Sequence, residues 1–440
     1  MARAMKDSGN RILGCIPATW EVKKLKYVAQ LYTGNSIKDD EKERYEDPVD
    51  AVPYLSSKDI DVTFLTADYE NGMYVKKDDK SFKFAPAGST LMCIEGGSAG
   101  RKKTKLKHQV AFVNKLCCFN PTSVDNSFLF YWLCSPNFED EFKQNITGLI
   151  GGVSISVLQN METAIPPLDE QACIVHYLDT ECARIDAVME QTRASIEEYK
   201  KLKQSIITEA VTKGIRPNRP MKDSGIDWIG QIPADWKLAK IKIGVSKVGS
   251  GKTPSGGAES YSSEGVLFLR SQNIYDIGIV LDNPTFITPD IDEEMKNTRV
   301  QPNDVLLNIT GGSIGRCCIF PESLNRANVN QHVSIIRVVN NIFLPEFMHY
   351  YWMSRLGEMS IKLYQTGGNR EGMTADAIKN SPIPLCSIIE QREIVLYLDN
   401  MCTEMDALIA KKEQLLSEME SYKKSLIFEY VTGKKEVCTL

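Results

Sequence analysis

Histidine is scarce in this sequence, with four in 440 residues, and no Cys-x-x-Cys occurs among its twelve cysteines. Cys117-Cys118 and Cys317-Cys318 are adjacent pairs, a spacing that builds neither a zinc site nor a disulfide framework. The expectation is free, buried thiols in a reducing cytoplasm. No apolar run reaches about 18 residues, which argues against a membrane span. Residues 1–14 carry charges and lack the apolar core of a secretory signal. Also missing are a nucleophile elbow, a paired-histidine zinc helix and a carboxylate–lysine cluster of the nuclease kind. The chain is expected to be no enzyme.

Positive charge is in slight deficit. Lys and Arg number 52 against 57 Asp and Glu, a net charge of −5. That total does not advertise a nucleic-acid partner, but such binding needs a local basic surface, not a basic sum. With 42% hydrophobic and 25% charged residues the chain should fold and be soluble, with length for two to four domains.

What is there is there twice. MKDSG occurs at 5–9 and again at 221–225, each followed by Ile-Pro-Ala-x-Trp ending at Trp20 and Trp236. GGSAGR (96–101) is echoed by GGSIGR (311–316), and Tyr131-Trp132 by Tyr351-Trp352. Ile165-Pro166, Glu170-Gln171 and IVHYLD return as Ile383-Pro384, Glu390-Gln391 and IVLYLD. The offset stays near 216 to 220 residues, while the sequence between the echoes diverges strongly. One long unit has been duplicated, its frame kept and its filling changed.

Each unit begins with a mixed region, roughly 16–165 and 232–383. Short Val- and Ile-rich runs at 266–269, 305–309 and 333–339 predict strands, punctuated by Gly, Asn and Pro. Each ends in a stretch without proline or glycine, 169–213 and 387–432, preceded by prolines that exclude helix. In the first, Ile174, Leu178, Cys182, Ile185, Met189, Thr192, Ile196, Tyr199, Leu202, Ile206 and Ala210 mostly alternate steps of three and four. In the second, Ile394, Leu398, Met401, Met405, Leu408, Leu415, Met419, Tyr422, Leu426 and Tyr430 do likewise, with Lys412 as an interruption. This is coiled-coil spacing, and about 45 residues span roughly 66 Å.

The stretch 249–257, GSGKTPSGG, contains the Gly-Lys-Thr of a phosphate-binding loop. The first glycine of that motif is replaced by Ser246, and Pro254 forbids the helix that Thr253 would have to open. It reads instead as a flexible loop that approaches a ligand closely. Asn283-Pro284-Thr285-Phe286 faintly resembles an amino-methyltransferase tetrapeptide, but it lacks the second proline and reads as a turn before a strand. What remains are glycine loops carrying cationic and amide groups at matching places in both halves. Arg reads guanine and Asn or Gln reads adenine through paired hydrogen bonds, while Lys holds phosphates.

In order and over nearly the whole chain, MKDSGIDWIGQIPADW, the GSGKTPSGG loop, GGSIGR, and Ile-Pro-Leu followed by Glu390-Gln391 and a long helix resemble the specificity subunit of a Type I restriction–modification system. The resemblance implies an α+β fold: two mixed α/β target-recognition domains in tandem repeat, each followed by a long helix, the helices forming an antiparallel coiled coil. The boundaries expected are a first recognition domain at 1–165, a spacer helix at 166–214, a linker at 215–231, a second recognition domain at 232–385 and a C-terminal helix at 386–434. The implied function is reading a bipartite, gapped site on double-stranded DNA. The implied partners are two methylation subunits and, where cleavage occurs, two restriction motor-nuclease subunits, all cytoplasmic. S-adenosylmethionine, ATP and magnesium would belong to those partners, and no cofactor or metal is expected in this chain.

The candidate DNA-contacting residues are Lys58, Arg101, Lys102, Lys103, Gly152 and Ser154 in the first half. In the second they are Arg270, Gln272, Asn273, Arg316, Asn330, Gln331, His332, Asn369 and Arg370. Candidate partner-contacting residues on the helices are Glu170, Gln171, Tyr199, Glu390, Gln391 and Tyr422. The first half departs from the pattern, with no threonine-proline loop and GLIGGVS where the second has GGNREG. Two other classes compete. A stand-alone ATPase or fused methyltransferase would bind nucleotide or S-adenosylmethionine as an isolated chain; a coiled-coil scaffold would show no sequence-selective DNA retention. If the helices act as a spacer, deleting four residues within 190–203 shifts the gap between half-sites or abolishes assembly, as read from the methylated motif. Normal assembly with an unchanged gap would contradict that role.

Overall fold

The computed structural model describes residues 3–148, 151–364 and 372–437. The chain divides into two compact units, Met1–Arg193 with Gln414–Leu440, and Ala194–Glu413. The division falls inside the long helices, not at the 165/166 and 385/386 boundaries expected from sequence. The reason is packing. Ile174, Leu178, Cys182, Ile185 and Met189, with Leu426, Ile427, Tyr430 and Val431, belong to the core of the first unit around Trp20, Trp132 and Phe128. Ile207, Ala210 and Val211, with Ile394 and Leu398, belong to that of the second around Trp236, Tyr351 and Trp352. Part of each helix is the wall of a core.

In the first unit an antiparallel sheet runs in the order Ala29–Thr33, Leu116–Pro121, Thr90–Cys93, Lys103–Lys105. A second sheet pairs Ala51–Leu55 with Val110–Phe112 in parallel. The second unit repeats this plan. Val245–Ser250, Val333–Val338, Val305–Asn308 and Cys317–Ile319 form the antiparallel sheet, and Val266–Leu269 runs parallel to Ala327–Val329. The strands expected at 266–269, 305–309 and 333–339 are present to within a residue. Phe286–Ile287 is a strand preceded by Asn283 at φ 57°, the turn read from Asn-Pro-Thr-Phe.

Each MKD opens a hairpin: Met5–Asp7 pairs with Cys15–Pro17, and Met221–Asp223 with Gln231–Pro233. Much of the stretch expected as a linker at 215–231 is therefore folded against the second unit. The following tryptophan is latched to the start of a long helix. Trp20 Nε1 donates to Glu170 at 3.0 Å, and Arg3 lies over the indole and pairs with the same carboxylate at 2.6 Å. Trp236 Nε1 donates to Glu390 at 3.0 Å, and Arg219 lies over that ring and pairs with Glu390 and Asp235. The neighbouring glutamines complete the joint. Gln171 accepts from the Asp125 amide and donates to the Pro166 carbonyl, while Gln391 accepts from the Leu344 amide and donates to the Ile342 carbonyl. A carboxylate in a first helical turn is favoured by the unpaired amides there.

The helices span Leu168–Lys213 and Ile388–Val431 and pack antiparallel, as the pairs Asp186–Lys423 and Lys203–Asp406 show. The seam of the second helix differs from the one expected. Leu408, Leu415 and Tyr422 are 42%, 43% and 57% exposed, while Ile409, Leu416 and Lys423, one residue on, are turned further from solvent. Lys412 does not interrupt the seam; its ammonium lies 5.6 Å from the Tyr199 ring centroid. In the first helix Leu202 is exposed and Lys203 takes its place, bonded to Asp406 at 2.6 Å. Lysine stems cover apolar surface while their heads find a carboxylate. The Tyr-Trp echo also shifts by one: Tyr131 and Tyr350, not Tyr351, donate to the equivalent Asp179 and Asp399.

Glu390→Ala removes the buried acceptor of the Trp236 indole and leaves the Arg219 guanidinium only its exposed partner, Asp235. Losing a buried hydrogen bond to a charged group costs about 1.5–3 kcal/mol. Thermal unfolding should show that loss, and hydrogen exchange should show the Met221–Asp223 hairpin opening first. Unchanged protection of this hairpin would contradict the latch.

Candidate nucleic-acid interface

One edge of the second unit collects strand ends from both sheets. The joint is made by backbone. The Gly251 amide donates to the Val333 carbonyl at 3.0 Å, Lys252 to Val329 at 3.1 Å, Asn330 to Leu269 at 3.0 Å and Ile309 to His332 at 2.9 Å. A Cβ on Gly251 would lie 1.9 Å from the Val329 carbonyl oxygen, so only glycine fits. This settles the Gly-Lys-Thr sequence. The two amides that a phosphate loop would turn towards its ligand are engaged inside the fold, and only a single 3-10 turn, Gly257–Ser260, follows in place of an α-helix.

Around this joint stand Lys252, Thr253, Arg270, Gln272, Thr310, Asn330, Gln331 and His332. Lys252, Gln272 and Gln331 are exposed, and Arg270 is half-buried with its guanidinium 5.8 Å from the Tyr261 ring centroid. Arg316 is exposed beside the small hairpin after the edge, 4.8 Å from the Tyr275 ring. Asn330 is buried, with its carbonyl accepting from the His332 amide. Asn273 is a correction. It is buried, accepts from the Arg270 amide and donates to the Val280 carbonyl, so it shapes the turn and does not face a ligand. Asn369 and Arg370 lie outside the described residues.

The first unit repeats the joint with other side chains. Asn35 donates its amide to the Phe112 carbonyl, Val113 to Leu55 and Ile94 to Lys115, and a Cβ on Gly34 would meet the Phe112 oxygen at 1.8 Å. Its edge presents Asn35, Ser36, Lys58, Asn114 and Lys115, with the Ser36 hydroxyl donating to Asn114 at 2.7 Å. Arg101 is exposed, whereas the Lys102 ammonium donates to the Ser57 carbonyl at 2.7 Å. Lys103 is a second correction. Its side chain is 2% exposed, and its ammonium donates to the Leu133 carbonyl and pairs with Glu139, so it supports the fold. Ser154 caps the helix Ile155–Asn160, and Gly152 bridges to Glu95 and Thr147.

Asn35, Ser36, Asn114, Lys115, Lys252 and Thr253 were missing from the sequence-derived set. The duplication carries the signal: Gly34 to Gly251 and Asn114 to Gln331 share the same offset. Of the expected partner-contacting residues, Gln171, Glu390 and Gln391 are buried in the latches and Glu170 is partly buried there, so these face inward. Tyr199 is half-buried under Lys412, and Tyr422 is exposed on its helix. The described cysteines are all unpaired, but Cys15 and Cys173 are at the surface, not buried. Burial pushes the thiol of Cys182 up to about 11 and that of Cys318 up to about 12, which keeps both protonated. Among the described residues no helix is long and apolar enough to cross a membrane.

The family model of the Type I restriction modification DNA specificity domain matches the chain twice, at residues 17–198 and 233–418. The chain belongs to that family, as a specificity subunit with two copies of the domain. It is 23% identical to the Type I restriction enzyme EcoBI specificity subunit of Escherichia coli, over 92% of this chain and 84% of that one. It is also 23% identical to the putative type I restriction enzyme MjaX specificity subunit of Methanocaldococcus jannaschii, over 97% and 96%. A chain solved in work on complex assembly and conformational transition of the type I R-M system shares the fold, with TM-score 0.72, 15% identity and coverage of 96% and 99%.

Gly251→Ala forces the loop off the Val329 carbonyl, at a cost of about 3 kcal/mol. Gly249→Ala, two residues away with nothing within 4 Å of its Cβ, should be neutral. Thermal unfolding of the pair checks the close approach; equal stability would contradict it.

Proposed function

We propose that each edge reads one half of a split site on double-stranded DNA, and that the chain thereby directs two methylation subunits to adenines within that site. Where restriction motor-nuclease subunits join, the same reading directs cleavage. S-adenosylmethionine, ATP and magnesium serve those partners, and this chain contributes recognition.

The observation that carries the reading is one backbone joint built twice and decorated differently. Lys252 stands where the first unit has Asn35, Thr253 where it has Ser36, Gln331 where it has Asn114, and His332 where it has Lys115. These are side chains that hydrogen-bond to base edges or hold phosphates. Lys58, Lys115 and Arg101 on one unit, and Lys252, Arg270 and Arg316 on the other, supply local positive charge on a chain of net charge −5. Binding should therefore weaken steeply with salt.

Sequence-selective retention of DNA by the assembled methylation complex tests the reading against a scaffold role. Arg270→Ala or Gln272→Ala should change the bases accepted in one half-site only, each good bidentate contact giving about 1–3 kcal/mol of discrimination. An unchanged motif for both variants would remove these residues from the reading edge.

A further inference from the structure

In the second unit the exposed side-chain amide of Gln331 is held at both ends, which fixes its plane. The Thr253 hydroxyl meets its Oε1. Its Nε2 lies 3.1 Å from His332 Nε2, and the other ring nitrogen, Nδ1, lies 2.6 Å from Thr310 Oγ1. The segments carrying these groups are themselves tied by backbone, Lys252 to Val329 and Ile309 to His332. The relay belongs to this unit alone. In the first, Lys115 and Glu95 stand where His332 and Thr310 would be, and Asn114 meets Ser36.

The relay can be satisfied in two ways. In one, Thr253 O–H donates to Gln331 Oε1, Gln331 N–H donates to His332 Nε2, and His332 Nδ1–H donates to Thr310. In the other the amide is turned over and every bond reverses. Both use one N–H and one lone pair of the Gln331 amide. Among the described residues, both leave one donor and one acceptor, in one fixed plane, for a ligand. Adenine's major-groove edge offers one acceptor, N7, and one donor, N6–H. Guanine offers two acceptors, cytosine one donor, and thymine one acceptor with a methyl group.

We propose that Gln331 is a pre-oriented adenine reader in the half-site of the second unit, with Thr253, His332 and Thr310 as positioning residues that hold its amide plane. The proposal rests on the DNA-reading function above and names the base and the atoms.

The test uses the assembled methylation complex in cells, with the motif read by sequencing methylated adenines. Gln331→Ala should lose discrimination about tenfold or more at a single A·T position of one half-site. Gln331→Glu, an acceptor only, should shift that position towards cytosine. Thr253→Val and His332→Phe should loosen the same position and leave the others intact, a readout that a purely structural defect would not produce. An unchanged preference in Gln331→Ala, or relaxation in the other half-site, would overturn the assignment. If removing the whole chain costs no methylated motif, the DNA-reading function itself fails. If the motif is lost without the chain yet survives Gln331→Ala unaltered, only the adenine reader fails.

Discussion

A carboxylate in the first turn of each long helix holds its unit together. Glu170 and Glu390 each accept an indole N–H, from Trp20 and Trp236, and each pairs with an arginine lying over that same ring. The hairpin, the tryptophan after it and the long helix are fixed to one another at that point. The glutamine one residue on adds the loop before the long helix and the start of a shorter helix, Asn126–Leu133 in one unit and Pro345–Met353 in the other. With the helix held so, its apolar stripe becomes a wall of the core.

The two edges proposed to face DNA depend on a second constraint of the same kind. Gly34 and Gly251 let a loop lie directly on the neighbouring strand, closer than any Cβ allows. The hydrogen bonds that follow are all backbone to backbone, so the joint specifies positions without specifying side chains. This separates frame from filling in physical terms. Side chains at the edge can change without disturbing what holds them, and in the second unit they have become a polar relay that orders an amide.

Much of this was legible in the sequence. The duplication, both long helices and the strands at 266–269, 305–309 and 333–339 follow from repeats, the absence of proline and glycine, and β-branched runs. The seam register was not, because Leu408 and Leu415 are as apolar as Ile409 and Leu416, and apolarity favours Tyr422 over Lys423. Lysines enter the seam only because Tyr199 and Asp186 wait on the partner helix. Lys103 looked like a surface cation because its acceptors, Leu133 and Glu139, lie thirty and 36 residues away. Asn35, Ser36, Asn114 and Lys115 are ordinary polar residues in isolation, and only the backbone joint gathers them. Asn273 failed as a reader for the converse reason: its amide is buried and turned inward, where its two bonds shape the turn.

On the function proposed above, this chain chooses where adenines are methylated. Mapping methylated adenines across the host genome, with the gene present and deleted, tests it most directly. One two-part, gapped motif should lose its methylation on deletion, with every other methylated motif untouched. An unchanged map, in cells where the chain co-purifies with an active methylation subunit, would contradict it.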